Sequence, residues 1–151
     1  MVIYFGADHR GFELKERLKV FAKNLGYEVS DLGAGSLVPD DDYSDYAKAV
    51  AEKIALDPAV AKGVLVCGGG TGMDISANKV NGIRSVLGIS PDHVFAARHD
   101  DDANVLSLSS DFIVPEAAEQ MTKIFLLTPF GGDERYRRRI EKIHEIEKAD
   151  V

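Results

Sequence analysis

The stretch GVLVCGGGTGMDISANK, residues 63–79, decides how this chain is read. An apolar run, Gly63 to Val66, ends in Cys67, the only cysteine present, and opens into Gly68, Gly69, Gly70 and Gly72. A short continuous apolar run bounded by turn residues marks a strand buried on both faces. Glycines at its end let the backbone approach a ligand closely and present N–H groups where a short helix, running to about Val80, begins. The turn therefore reads as a cradle for an anion or oxyanion. It is not a Walker loop, because no Gly-Lys-Ser/Thr follows, and Met73 stands where GxGxxG needs its third glycine. Cys67, at a strand end beside a helix start, occupies a setting that makes thiols reactive. The competing reading is a small buried hydrophobe next to a tight turn.

Outward from this stretch the chain alternates. VIYFGA (2–7) reads as a strand, and Leu14, Leu18, Phe21, Ala22 and Leu25 recur at helical spacing until Gly26. YEVSDLG (27–33) is a second strand, followed by a loop rich in Gly, Pro and Asp over 33–42. YSDYAKAVAEKIAL (43–56) is helical, with Ala47, Val50, Ala51 and Ile54 on one face. IRSVLGI (83–89) and NVLSLS (104–109) are the fourth and fifth strands. Between them Ser90 caps, and Pro91 opens, another helix. Helices over 115–127 and from Arg135 to Ala149 complete the pattern. Strands alternating with helices predict an α/β fold: a five-stranded parallel sheet covered on both faces, in one domain spanning 1–151. In such sheets ligands bind beyond the carboxyl ends of the strands.

Composition narrows the class. The chain has 151 residues, 45% of them hydrophobic and 28% charged, as in a folded globular protein. No apolar stretch reaches the roughly 18 residues of a membrane span, and MVIYFGADH is too short and uncharged for a signal peptide. A lone cysteine neither staples the fold nor builds a thiolate zinc site, so a cytoplasmic location is expected. A net charge of −7 opposes nonspecific binding to nucleic acid or anionic membranes.

Three further groups carry chemistry. Arg135, Arg137, Arg138 and Arg139 crowd the start of the last helix while Glu145, Glu147 and Asp150 crowd its end, the reverse of what a helix dipole favours. Arg135 and Arg139, four apart, share a face and suit a phosphate; a solvated basic face is the plainer alternative. Asp8 and His9 follow the first strand, where they can reach a sugar hydroxyl or phosphate, although Asp8 also suits a helix cap. His99 precedes Asp100, Asp101 and Asp102. That run lacks the alternation of a calcium loop, so no metal site is expected there.

GADHRGFELKE, GYEVSDLG, DYSDYA, GVLVCGGGTGMDISANKVNGIRS, DANVLSL and TPFGGDERYRRRIEKI follow one another as in the ribose-5-phosphate isomerase B / galactose-6-phosphate isomerase family. The resemblance covers roughly residues 2–147. It implies a Rossmann-like three-layer sandwich acting as a dimer or tetramer, with shared active sites and with the helix over 134–150 packed on a partner subunit. It implies a cofactor-free, metal-free aldose–ketose isomerase of sugar phosphates, as in the pentose phosphate pathway. The leading substrate pair is ribose 5-phosphate and ribulose 5-phosphate. A six-carbon sugar phosphate (galactose or allose 6-phosphate) and a catalytically silent sugar-phosphate-binding protein are the alternatives. Carried over by position, Cys67 is the base, and Gly68, Gly69, Gly70 and Gly72 hold the enediolate oxygen. Asp8 and His9 contact the sugar, Tyr43 lines the pocket, and Arg135 and Arg139 bind the phosphate.

Departures from the family pattern fall at defined places. The ring-opening histidine falls on Asp100, with His99 one position earlier, and the asparagine beside it becomes Asp101. The assisting threonine falls on Gly69, leaving Thr71 as its substitute. A phosphate-directed arginine falls on Asp111, and one extra residue precedes Arg135. The resemblance assigns the changes at 100, 101 and 111 to the half of the site that a partner subunit provides, where added carboxylates would repel a phosphate.

Overall fold

The computed structural model describes residues 1–149. The strands are β1 (Val2–Ala7), β2 (Glu28–Asp31), β3 (Ala61–Cys67), β4 (Ser85–Leu87) and β5 (Val105–Ser109). The helices are α1 (Phe12–Asn24), α2 (Tyr43–Leu56), α3 (Thr71–Ala77), α4 (Pro91–Asp101), α5 (Pro115–Leu127) and α6 (Glu134–Ala149). All strand pairs are parallel, in the order β2-β1-β3-β5-β4. The expected three-layer α/β sandwich is thus present. Asp150, expected at the end of the last helix, lies outside the described residues.

Side-chain alternation along β3 divides the core. Val64 and Val66 face one layer, with Leu18 of α1, Val94 of α4 and Phe125 of α5. Leu65 and Cys67 face the other, with Val50 and Ile54 of α2 and Met73 of α3. Burial on both faces explains why β3 reads as an unbroken apolar run. The outer strands are shorter than the sequence suggests. Only Ser85–Leu87 pairs in β4, because Gly82, at φ +84°, ends one turn and the chain leaves the sheet at Gly88. Ser90 caps α4 as expected, its hydroxyl accepting the His93 N–H at 3.2 Å.

A buried lysine ties α1 to the end of β2. Lys15 is fully buried, and its ammonium reaches both Asp31 oxygens (3.0 and 2.8 Å) and the Ala34 carbonyl (3.1 Å). Lys19 adds a contact at 2.5 Å, and the Gly33 N–H donates to Asp31 at 2.9 Å. Burial alone would raise the Asp31 pKa; hydrogen bonds from Lys15, Lys19 and Gly33 outweigh it and hold the group below its ordinary value. This network fixes the start of the loop that delivers residues 40–43 to the site.

The reversed charge of α6 has local partners. Glu134 accepts from Arg138 at 3.0 Å, and Glu147 accepts the Gly82 N–H at 2.8 Å, tying the far end of the helix to the turn before β4. Tyr136 and Ile140 are buried against the same chain, while Ile146 is 66% exposed.

Asp31→Ala would leave the buried Lys15 ammonium with only the half-exposed Glu16 carboxylate at 3.3 Å, and a loss of about 3 kcal/mol is expected from urea denaturation at pH 7. Because the folded pKa of Asp31 is depressed, its contribution is complete above the ordinary carboxylate range, near pH 4, and is lost as pH falls through the depressed value. The gap between wild type and variant should therefore close in strong acid. A gap that persists unchanged there would contradict the ion-pair account.

Candidate active site

Two clusters of the expected residues form, at opposite ends of the sheet. The first gathers where β1 and β3 end. Gly11 makes it possible: a Cβ there would stand 2.2 Å from the Val66 carbonyl oxygen, so only glycine lets the loop after β1 lie across the end of β3. Asp8 is 5% exposed and accepts the N–H groups of Arg10 and Gly11, each at 3.0 Å, the turn-stabilising role the sequence allowed. Cys67 is buried, and its Sγ accepts the Gly70 N–H at 3.1 Å. Gly70 holds φ +75°, and a Cβ there would meet Leu87 Cδ1 at 2.6 Å and the Leu108 backbone at 3.0 Å. The Tyr43 ring lies on Gly72, where a Cβ would fall 2.7 Å from it. Thr71 is exposed at the first position of α3.

His9 has a partner that the sequence reading did not single out. Asp41 Oδ1 takes both the His9 backbone N–H (2.7 Å) and the ring Nδ1 (2.8 Å). This arrangement fixes Nδ1 as the protonated nitrogen of neutral His9 and leaves Nε2 as the acceptor. Burial pushes the Asp41 pKa up, but hydrogen bonds from the His9 ring and backbone, with the Tyr46 hydroxyl facing the carboxylate, bring it below the ordinary value. Asp40, at φ +60°, turns the chain so that Asp41 faces inward. A run of acids in a loop resembles a solvated surface, so nothing in the sequence marked Asp41. Asp8, His9 and Asp41 offer ligand atoms within 4.8 Å of one another. The His9–Asp41 contact has hydrogen-bond length, and Asp8 already accepts two N–H groups.

Asp111 does not stand apart from this cluster. Its N–H donates to the Gly68 carbonyl at 3.0 Å, and its carboxylate pairs with Arg10. The expectation of an uncompensated negative charge at this position is thereby corrected: Arg10 of the same chain pairs with it. Residue 111 follows β5, the neighbour of β3, and must fall beside the glycine turn of its own chain. Ser109 and Ser110 close the same corner, their hydroxyls donating to Gly68 O (2.6 Å) and Arg10 O (2.9 Å).

The second cluster lies at the amino ends of the strands, because α4 runs against them. His99 Nδ1 meets Asp100 Oδ1 at 2.8 Å. The His99 ring stacks on Phe95 (5.5 Å between centroids) and meets the Tyr136 ring edge-on at 5.7 Å. The Arg135 guanidinium lies 4.7 Å over the Tyr136 ring and donates to its hydroxyl at 2.9 Å. His99 first, then Tyr136 and Arg135, hold the Asp100 pKa below the ordinary carboxylate range. Asp101 is exposed, with its carbonyl accepting from Arg84 at 2.9 Å. Arg139 is exposed and takes part in no ion pair among the described residues. β3, seven residues long, spans about 20 Å, and this cluster lies toward the opposite end of the sheet from Cys67 of its own chain.

A buried thiol thus stands beside the glycine turn at the carboxyl ends of a parallel sheet, the end where such folds bind ligands, and comparison with known proteins gives the family. The sequence pattern of the Ribose/Galactose Isomerase family matches residues 3–143, and the chain belongs to that family. A relative described as a probable ribose-5-phosphate isomerase B, from Mycoplasma pneumoniae, is 40% identical over 146 residues, covering 97% of this chain and 95% of the relative. The crystal structure of ribose-5-phosphate isomerase B from Mycoplasma genitalium, with bound ribulose-5-phosphate, aligns with a TM-score of 0.94 at 37% identity. That alignment covers 97% of this chain and 96% of the other. The ribose 5-phosphate isomerase of Thermotoga maritima aligns with a TM-score of 0.88 at 42% identity, covering 95% and 97% of the two chains. No helix among the described residues is long and apolar enough to cross a membrane.

Asp41→Ala should release the His9 ring, and nitrogen-15 shifts of the imidazole are expected to move toward the Nε2-protonated tautomer that free histidine favours. An unchanged Nδ1–H tautomer would show that Asp41 does not set it.

Proposed function

We propose that the protein interconverts ribose 5-phosphate and ribulose 5-phosphate through a cis-enediolate, with Cys67 moving the proton between C2 and C1. The observation that carries this reading is the buried thiol held by the Gly70 N–H among the glycine turn, Asp8 and Tyr43. Its support is the family membership and the ribulose-5-phosphate bound by the structural relative. As the thiolate, Cys67 takes the C2 proton while the carbonyl oxygen at C1 gains negative charge. Backbone N–H groups of the turn receive that charge, the O2 proton passes to O1, and reprotonation at C1 by the Cys67 thiol gives the C2 ketone and returns the thiolate. Asp8 and His9 Nε2 face the sugar hydroxyls.

Ring opening and phosphate binding fall to the second cluster, supplied by another copy of the chain. Placement toward opposite ends of a sheet whose strand β3 spans about 20 Å supports this division, since His99, Asp100, Arg135 and Arg139 lie away from Cys67 of their own subunit. Exposed apolar residues near both clusters, Phe112 (82% exposed) and Phe95 (50%), suit a face covered by that copy. Asp100, held ionised, orients His99 through Nδ1 and leaves the imidazole as the proton donor and acceptor for the ring oxygen. Arg135 and Arg139 then meet the phosphate.

Proton NMR with ribose 5-phosphate in heavy water tests the reaction. The expected result is ribulose 5-phosphate forming at an enzymatic rate, with deuterium entering the sugar at C1. No turnover would contradict the assignment and transfer it to six-carbon phosphates. A ligand-dependent thermal shift with no turnover of either would mark a binding protein. Cys67→Ala is expected to lower kcat at least about a hundredfold with little change in substrate binding. Rates near wild type would remove Cys67 from the mechanism. Arg139→Ala should weaken phosphorylated sugars much more than free sugars, and equal losses would count against a phosphate contact.

A further inference from the structure

The geometry points to Arg10 as a phosphate-binding residue of the Cys67 site, supplied by the same chain as the thiol and held in place by Asp111. The inference rests on the sugar-phosphate reading above and adds to it a residue that determines specificity. Three observations carry it.

First, Arg10 lies directly on the glycine turn. A Cβ built on Gly68 would fall 2.3 Å from Arg10 Cζ, 2.4 Å from Nε and 2.7 Å from Nη1. The guanidinium therefore occupies the space that the missing side chain of Gly68, the residue after Cys67, leaves open. Second, the fork is anchored from one side only. Nη2 donates to Asp111, while Nε and Nη1 have no hydrogen-bond partner among the described residues. Nη1 keeps both of its N–H groups free for a phosphate oxygen, and the Nε–H, on the opposite side of the guanidinium, offers a further donor. Third, the anchor is itself rigid. The Asp111 N–H bonds Gly68 O at 3.0 Å, Ser110 Oγ donates to Arg10 O at 2.9 Å, and the Arg10 N–H donates to the buried Asp8 at 3.0 Å. A long side chain that would otherwise sample many rotamers is thus fixed at both ends.

Position distinguishes the phosphate from the reacting carbons. Cys67 is buried on the α2–α3 face of the sheet, and its sulfur takes the Gly70 N–H. Arg10 reaches Gly68 from the loop after β1 and keeps 55% of its side chain exposed. A substrate with C1 and C2 at the thiol places its charged, hydrated end toward such a half-open rim. Asp111 cancels part of the guanidinium charge, so the contribution is one of directed hydrogen bonds and discriminates phosphorylated from free sugars.

Titration calorimetry on the full chain tests this, with inorganic phosphate and ribose 5-phosphate as probes. The proteins compared are wild type, Arg10→Met, Arg10→Lys and Lys48→Met. Lys48 lies on the exposed face of α2, paired with Glu52, and its loss removes the same charge away from the turn. Arg10→Met is expected to weaken both probes at least about tenfold, Arg10→Lys less, and Lys48→Met hardly at all. Wild-type affinity in Arg10→Met would overturn the inference, as would an equal loss in Lys48→Met, which would make the effect one of bulk charge. Wild-type protein that binds neither probe would overturn it too. Binding without turnover in the wild type would instead sink the isomerase reading and leave the comparison at Arg10 intact. If Arg10→Met fails to fold, Arg10→Lys decides alone: unchanged affinity for both probes excludes the directed guanidinium contact.

Discussion

The close approach of the loop after β1 to the end of β3 is the constraint on which the site depends. Gly11 permits it, since any Cβ would enter the Val66 carbonyl. Everything chemical at the carboxyl end follows. Asp8 closes the turn by accepting two N–H groups, His9 is carried to Asp41, and Arg10 is laid on Gly68. The glycines after Cys67 answer the same demand from the other side. Gly68 makes room for Arg10, Gly72 for Tyr43, and Gly70 takes a backbone conformation closed to most side chains while aiming its N–H at the sulfur.

Strand and helix polarity then set what one chain cannot do. In a parallel sheet each helix returns the chain to the amino ends, so residues at the end of α4 are carried away from the thiol. His99, Asp100 and Arg135 form a connected cluster there, packed on Tyr136 and Phe95. The proposed two-copy site would join these two clusters, since a two-fold axis can bring unlike poles of two subunits together.

Much of this was legible in the sequence. The apolar run of β3, the helical spacing of Ala47, Val50, Ala51 and Ile54, and the Ser90–Pro91 helix start all reflect local rules that the packing reinforces. So does the placement of Asp8, His9 and Cys67 at strand ends and of Tyr43 at the start of α2. The extents of the outer strands were less legible, because their pairing depends on neighbours rather than on their own residues. Pairings between distant segments were not legible at all. Arg10 with Asp111 and His9 with Asp41 join charged residues that are 101 and 32 positions apart, and each alone looks like solvated surface. Asp111 was read as an unfavourable charge because its partner was invisible. The reversed charge of α6 likewise acquires a reason only once Glu147 is seen to hold Gly82.

The central claim is that Cys67 of one copy works with His99 and Asp100 of another, and subunit complementation tests it most directly. Cys67→Ala and the double variant His99→Ala/Asp100→Ala are each expected to be inactive toward ribose 5-phosphate. Unfolded together and refolded as a mixture, they should recover about a quarter of wild-type activity, since half of randomly formed dimers carry one intact site of two. A mixture no more active than its separate parents would contradict a shared site and place the whole reaction within one chain.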